Sequence, residues 1–447
     1  MRIGEVSEGT DAVVACDVLV IGGGPAGSTA ATLLAREGRS VVLLDKDRHP
    51  RFHIGESLLP ANLPLLERLG VADAVAAIGM AKYGVEFVSP KHLHTTQLEF
   101  SDAWDKSLSQ AWQVRRAPFD HLLLRNAASA GAQVCEGWRV SKVAFMPDFG
   151  GARVEAVSDA GEARRYDARF VVDASGRDTF LASRCRVKRR NPRHASAAMY
   201  AHFTGATRLP GRKEGNISIF WFDHGWFWFI PLADGTTSVG AVCWPYYFKR
   251  RDGSLQAFFE STIASCPRLA RRLRDARQVN EVEATGNYSY GADAAHGAAE
   301  RHSYLMAGDA FAFVDPVFSS GVFLAMSSAE MGADTVSRCL DEPASCRASL
   351  RRYGRLIARG PRAFSWFIYR MTNPAMRELF MHPRNLLRSR EAVLSVLAGD
   401  LYRGTRYQSG LLVFKIIYYV AWMLHPRQSL ANWRRRKTLV RDPQVAN

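Results

Sequence analysis

Apolar positions recur along the chain at two periods, and their alternation divides it into elements. Residues 17 to 22, DVLVIG, form a short apolar run ending in Gly, and GGPAGSTAATLLAREG follows with helical spacing and a terminal Gly38. SVVLLD at 40 to 45 is a second buried run. Strand, helix and strand in this order predict a β-α-β unit, hence a parallel sheet and an α/β fold. Farther on, RFVVDASG reads as a strand closing on a Gly turn. The runs NISIFWF (216 to 222), WFWFIP (226 to 231) and TSVGAVCW (237 to 244) are joined by DHG and LADGT and predict an antiparallel meander. RHSYLMAGDAFAFVDPVFSSGVFLAMSSAEMGAD then returns to strand, loop and helix.

These patterns predict residues 1–340 as a nucleotide-binding domain built from separated segments, with an antiparallel substrate sheet inserted at about 194–285. Residues 341–447 read as mostly helical. Within them LLVFKIIYYVAWML, 411 to 424, is apolar except for Lys415, and fourteen residues suit a buried or interfacial helix better than a membrane span.

Composition narrows the class. The chain has 447 residues, 47% hydrophobic and 23% charged, as a folded globular protein does. The start MRIGEVSEGTDAVVACD has acids and no apolar run before Ala12, so a secretory signal is not expected and the expected location is the cytoplasm. Seven scattered cysteines without CxxC argue against a disulfide framework and a zinc site, and no metal is expected. The net charge is +16, and residues 341 to 447 hold 20 Lys and Arg against 6 Asp and Glu. Such a basic region is a solvated helical surface or a seat for an acidic protein or anionic lipid. No aromatic-interleaved basic motif points to nucleic acid.

The chemistry begins at Gly22, Gly24 and Gly27, a GxGxxG placed after a strand and opening a helix. Gly lets the backbone turn tightly and approach a pyrophosphate held by the helix N-terminus. Ala26 lies in the same turn and counts among the cofactor-binding residues. Asp45, ending the second strand, is placed to accept from a ribose hydroxyl. This is a Rossmann-like dinucleotide site. AGDAFAFVDP at 307 to 316 sets Gly308 and Asp309 after a late strand, as in flavoproteins of the glutathione reductase and hydroxylase type, and so favours FAD over NAD. Asp45 stands where FAD enzymes more often carry Glu. No second GxGxxG is present for NAD(P)H, so reduced flavin is expected from a separate flavin reductase.

Four further stretches, FHIGESLLP (52 to 60), WQVRRAPFD (112 to 120), WFWFIP (226 to 231) and FVDPVFSSG (313 to 321), resemble the motif set of flavin-dependent halogenases. The resemblance spans most of residues 15 to 335. It implies that reduced FAD, oxygen and chloride or bromide yield hypohalous acid, which travels through a tunnel to an electron-rich aromatic substrate. Lys82 matches the lysine that hydrogen-bonds the oxidant or becomes a haloamine; alone it would read as a surface lysine ahead of a strand. Ser319, Ser320 and Gly321 match the halide loop, where either serine could equally cap the following helix. Arg116 matches the FAD-contacting arginine, with Arg115 beside it as the alternative, and Pro316 and Gly321 belong to the flavin-side motif. Trp226, Trp228, Ile230 and Pro231 complete the WxWxIP that separates flavin from substrate.

Tryptophan halogenases carry Glu where Phe318 stands. Phe318 therefore implies the subgroup acting on phenols, pyrroles and carrier-bound aryl groups, with an acidic acyl or peptidyl carrier, or a peripheral membrane surface, against the basic C-terminal region. The alternatives are an FAD monooxygenase that hydroxylates an aromatic ring, an FAD-dependent prenyl or polyene reductase, and a flavin-binding protein that docks carriers without chemistry.

Overall fold

The computed structural model describes residues 13–191 and 195–424. The GxGxxG strand Val13–Ile21 pairs in parallel with Val41–Asp45 on one side and Ala163–Asp173 on the other. Gln133–Glu136 continues the parallel sheet beyond Val41–Asp45, and Tyr304–Met306 pairs with the end of Ala163–Asp173. Period-two alternation sends Val18 and Val20 to the large core under helix Pro25–Arg36. Leu19 and Ile21 go to a second core on the opposite face. Both faces are thus covered, as a parallel sheet requires. Ala163–Asp173 is longer than RFVVDASG suggests. Its first half also pairs antiparallel with Ala152–Ser158, which pairs in turn with Trp138–Phe145.

The meander forms as expected: Ile217–Phe222, Gly225–Pro231 and Thr236–Cys243 are consecutive antiparallel strands. Ser196–Thr204 joins it at one edge. At the other edge Gly84–Val88 pairs in parallel with Ile217–Phe222, and Thr95–Glu99 follows. The sheet thus takes two strands from well before residue 194.

Helix Gly321–Asp341 packs on Pro25–Arg36, which brings the late strand-loop-helix segment against the GxGxxG turn. Beyond it lie helices Cys346–Ile357, Arg359–Ile368, Pro374–Met381, Ser389–Leu397 and Gln408–Leu424. Tyr353 donates to the Met306 carbonyl at 2.8 Å, and Arg390 pairs with Asp102 at 2.7 Å, fastening these helices to both sheets. Among the described residues no helix is long and apolar enough to cross a membrane.

Candidate functional site

The three glycines of the turn have different steric reasons. Gly22 has φ +101°, and a Cβ there would meet the Ala174 carbonyl oxygen at 2.5 Å. A Cβ on Gly27 would lie 1.8 Å from the Gly22 oxygen, so strand and helix could not pack. Gly24 is different: the nearest atom to its Cβ position is Arg51 Nη2 at 3.7 Å. It opens onto a cavity of about 590 Å³. Gly24 also starts helix Pro25–Arg36 without any side-chain cap, leaving the first-turn N–H groups facing that cavity. This fits a pyrophosphate, with Gly24 as the point of close approach. Asp45, almost fully buried, accepts from Gly23 N at 2.5 Å and Asp47 N at 2.8 Å and still borders the cavity.

Gly22, Gly24, Ala26 and Asp45 thus line the cavity, together with Arg116, Asp309, Pro316, Ser319 and Gly321. Gly27 lies behind the wall. So does Gly308, whose positive φ and contacts with Ala325 and Ala26 hold the Asp309 turn against the helices. Desolvation pushes the Asp309 carboxyl up to about 6, against the pull of Arg116 and Arg177.

Arg116 and Arg115 part company at the helix start. Arg116 opens helix Arg116–Ser129, forks onto Asp120 at 2.8 and 2.9 Å, and donates to the Ile54 carbonyl at 3.1 Å. It is buried and faces the cavity. Arg115 turns outward to Asp234 at 2.9 Å and Thr236 at 2.6 Å. Of the pair, Arg116 is the one placed to meet a cofactor.

Three cavity residues, Arg51, His53 and Glu56, carry no role in the sequence reading. Arg51 reaches toward Gly24, and its buried Nε has no hydrogen-bond partner. Glu56 forms a buried pair with His202 at 2.9 Å beneath the cavity wall. His53 is held neutral, its pKa lowered to about 4 by desolvation and then by Arg116. Arg51 had one sequence signal, a cation in the loop directly after the Asp45 strand; Glu56 lay within the quoted GESLLP.

Ser319 has φ +56°, and Ser320 begins helix Gly321–Asp341 with φ −82° and ψ −11°. An N-cap needs extended backbone, so Ser320 makes no cap hydrogen bond. Its buried Oγ has no hydrogen-bond partner among the described residues. A buried hydroxyl without a partner beside a helix N-terminus suits a desolvated anion.

On strand Gly225–Pro231, Trp226, Trp228 and Ile230 face the cavity, while Phe227 and Phe229 enter the core behind the sheet. The two indoles lie 6.2 Å apart. Trp228 donates to Ser238 at 3.1 Å and lies flat over Gly240, where a Cβ would meet its ring at 2.1 Å. Pro231 follows in the strand, paired with Thr237, outside the cavity lining.

Lys82 is fully buried at the end of strand Met80–Lys82. Its Nζ donates to Ser57 Oγ and to the Leu58 carbonyl, each at 3.0 Å, and lies 5.2 Å from the Phe100 ring. No carboxylate pairs with it among the described residues, and desolvation lowers its pKa to about 7. Lys82 does not line the cavity; Ser57, which does, stands between them. On the far side Phe318 packs near Phe364, Phe367 and Phe380 of the C-terminal helices.

Residues 15–349 match the FAD binding domain family. The chain is 36% identical over 357 residues to the flavin-dependent halogenase armH3 of Armillaria mellea, covering 73% of this chain and 69% of that protein. It is 29% identical over 417 residues to the 1H-pyrrole-2-carbonyl-[peptidyl-carrier protein] chlorinase of Pseudomonas fluorescens, covering 88% and 91%. Among solved structures, the myxobacterial chondrochloren halogenase CndH superposes with a TM-score of 0.75 at 33% identity, covering 86% and 90%. The chain belongs to the flavin-dependent halogenases, oxidoreductases that use FAD.

Proposed function

We propose that the chain halogenates a phenolic, pyrrole or carrier-bound aryl ring through Lys82. Bound FAD, when reduced by a separate flavin reductase, supplies with oxygen the oxidising power that converts chloride or bromide to hypohalous acid. Gly22, Gly24, Ala26, Asp45, Arg116, Asp309 and Pro316 hold the cofactor, and Gly27 and Gly308 shape the wall behind them. Ser319, Ser320 and Gly321 hold halide, with the Ser320 hydroxyl as the donor. Trp226, Trp228 and Ile230 occupy the space in which a hydroxylase would place its ring, and Pro231 ends their strand.

Lys82 carries this reading, because it is buried, unpaired with any carboxylate and one side chain removed from the cavity. Desolvation lowers its pKa from 10.5 to about 7, which favours the neutral amine that can act as nucleophile. The amine nitrogen attacks the halogen of hypohalous acid, forming an N–halogen bond and releasing water after proton transfer. The aromatic carbon then takes the halogen, its proton leaves, and the amine is restored. Phe318 and its aromatic neighbours offer no carboxylate to the ring, which suits substrates that activate themselves.

The relative that acts on a carrier-bound pyrrole aligns over nearly its whole length, and it supports an acidic carrier protein docking on the basic C-terminal region. A lipid surface is the second reading, favoured by helix Gln408–Leu424. Leu412, Ile416, Tyr419, Val420, Met423 and Leu424 are all exposed on it, near exposed Leu386 and Leu387. The RRRK run at 434 to 437 lies outside the described residues. Sedimentation with anionic and neutral vesicles separates the two: salt-sensitive pelleting with anionic vesicles supports lipid, and its absence with retained carrier binding supports the carrier.

The chemical test is product mass in an assay with FAD, flavin reductase, NADH, oxygen and chloride or bromide. A halogenated ring is expected, whereas a hydroxylated ring formed independently of halide would favour the monooxygenase alternative.

A further inference from the structure

Away from the cavity, three imidazoles gather around one carboxylate where the C-terminal helices meet the antiparallel sheet. Helix Pro374–Met381 carries Glu378, and His382 caps its end, so the i, i+4 spacing puts both on one face. His92 reaches them from the loop between Gly84–Val88 and Thr95–Glu99. His92 Nε2 lies 3.0 Å from one Glu378 oxygen, and His382 Nδ1 lies 2.8 Å from the other. One potential ligand atom from each of the three residues falls within 4.8 Å of the others.

We propose that His92, Glu378 and His382 bind a divalent transition-metal ion of the zinc class, which fastens helix Pro374–Met381 to the antiparallel sheet. Two imidazole nitrogens and a carboxylate oxygen are a ligand set that zinc accepts, with a fourth position left for water. The His92 imidazole is oriented by a second partner, as ligating histidines are. His92 Nδ1 faces Ser89 Oγ at 2.9 Å, which leaves Nε2 for the ion. Arg268 donates to the carbonyls of His92 and His94, each at 3.1 Å, and holds the loop in place. The Met381 carbonyl accepts from Thr96 at 2.8 Å and lies 3.0 Å from His94 Nε2, so the helix end that presents His382 is already fixed to the sheet.

Tetrahedral coordination at about 2.0–2.1 Å sets ligand atoms about 3.4 Å apart. The His–Glu contacts at 2.8 and 3.0 Å are made to different Glu378 oxygens, so the carboxylate must turn to set one oxygen between the imidazoles, and ligand atoms spread over up to 4.8 Å must draw together. The side chains of Glu378 and His382 are 59% and 51% exposed and free to do so. Without an ion, exposed pairs of this kind contribute little. With one, the helix carrying Phe380, which packs 4.8 Å from Phe87 and 6.4 Å from Phe318, is tied down. Sequence spacing hides the site, since His92 and Glu378 lie 286 residues apart.

The test uses the full chain, freed of any affinity tag, stripped with EDTA and titrated with Co(II) and then Zn(II). One equivalent of Co(II) should give the visible d–d bands of a tetrahedral site, and Zn(II) should displace it and raise Tm. His382→Ala and Glu378→Gln should each weaken binding by at least about tenfold, while their metal-free Tm, matching that of the parent, shows that they fold. Absence of saturable one-equivalent binding, or binding undiminished in a His92→Ala/His382→Ala double variant, overturns the proposal.

Discussion

Lys82 Nζ donates to Ser57 Oγ at 3.0 Å, and Ser57 faces the large cavity, so one hydroxyl separates a buried amine from the space expected to hold the flavin. That arrangement gives Lys82 a titration signature. Burial lowers its pKa from 10.5 to about 7, so the unfolded chain binds the proton more tightly than the folded one. Stability is therefore lost as pH falls from about 10.5 to about 7 and levels off below. The penalty at neutral pH is on the order of a few kcal/mol. Lys82→Met should raise Tm at pH 7, and the gain should shrink toward pH 10. A pH-independent difference in thermal melts would contradict this.

Ser320 should matter to halide without mattering to folding. Its Oγ has no partner in the fold, so Ser320→Ala removes nothing that the chain itself uses. A hydrogen bond to an anion contributes about 1.5–3 kcal/mol, so KM for chloride or bromide should rise roughly tenfold or more at unchanged Tm. Equal halide dependence in the two proteins would remove Ser320 from the halide site.

The glycines divide into folding and binding. Gly27→Ala sets a methyl 1.8 Å from a backbone oxygen and should lower Tm severely. Gly24→Ala meets nothing closer than 3.7 Å, so the protein should fold normally and bind FAD about tenfold more weakly. FAD fluorescence titration beside a thermal melt reads both, and undiminished affinity in Gly24→Ala would refute the pyrophosphate assignment.

Trp228→Ala empties the space over Gly240 and widens the cavity beside strand Gly225–Pro231. Core truncation of this size costs about 3–5 kcal/mol, so the variant is best assayed well below its Tm. Peroxide and hydroxylated product should increase relative to halogenated product per oxygen consumed. An unchanged ratio would make the two indoles an ordinary core strand.

What the sequence made legible was local. GxGxxG, Asp45 and the Trp alternation depend on neighbours a few residues away, and periodicity reports those directly. The choice between Arg115 and Arg116 was not local: it turns on Ile54, 62 residues from Arg116, and on Asp234, 119 residues from Arg115. The capping reading of Ser320 fails because its backbone is helical, which residue type alone does not reveal. The Arg51 loop after the second strand has no period to read. Gly84–Val88 and the His92 cluster depend on contacts across hundreds of residues.

The most direct measurement is product mass from full-chain protein and Lys82→Ala in parallel, with FAD, flavin reductase, NADH, oxygen and bromide, offered free phenols and carrier-bound aryl groups. The account predicts a halogenated ring from the parent, at least about a hundredfold less (about 2.7 kcal/mol) from Lys82→Ala, and equal FAD binding by the two. Equal halogenation by Lys82→Ala would contradict it.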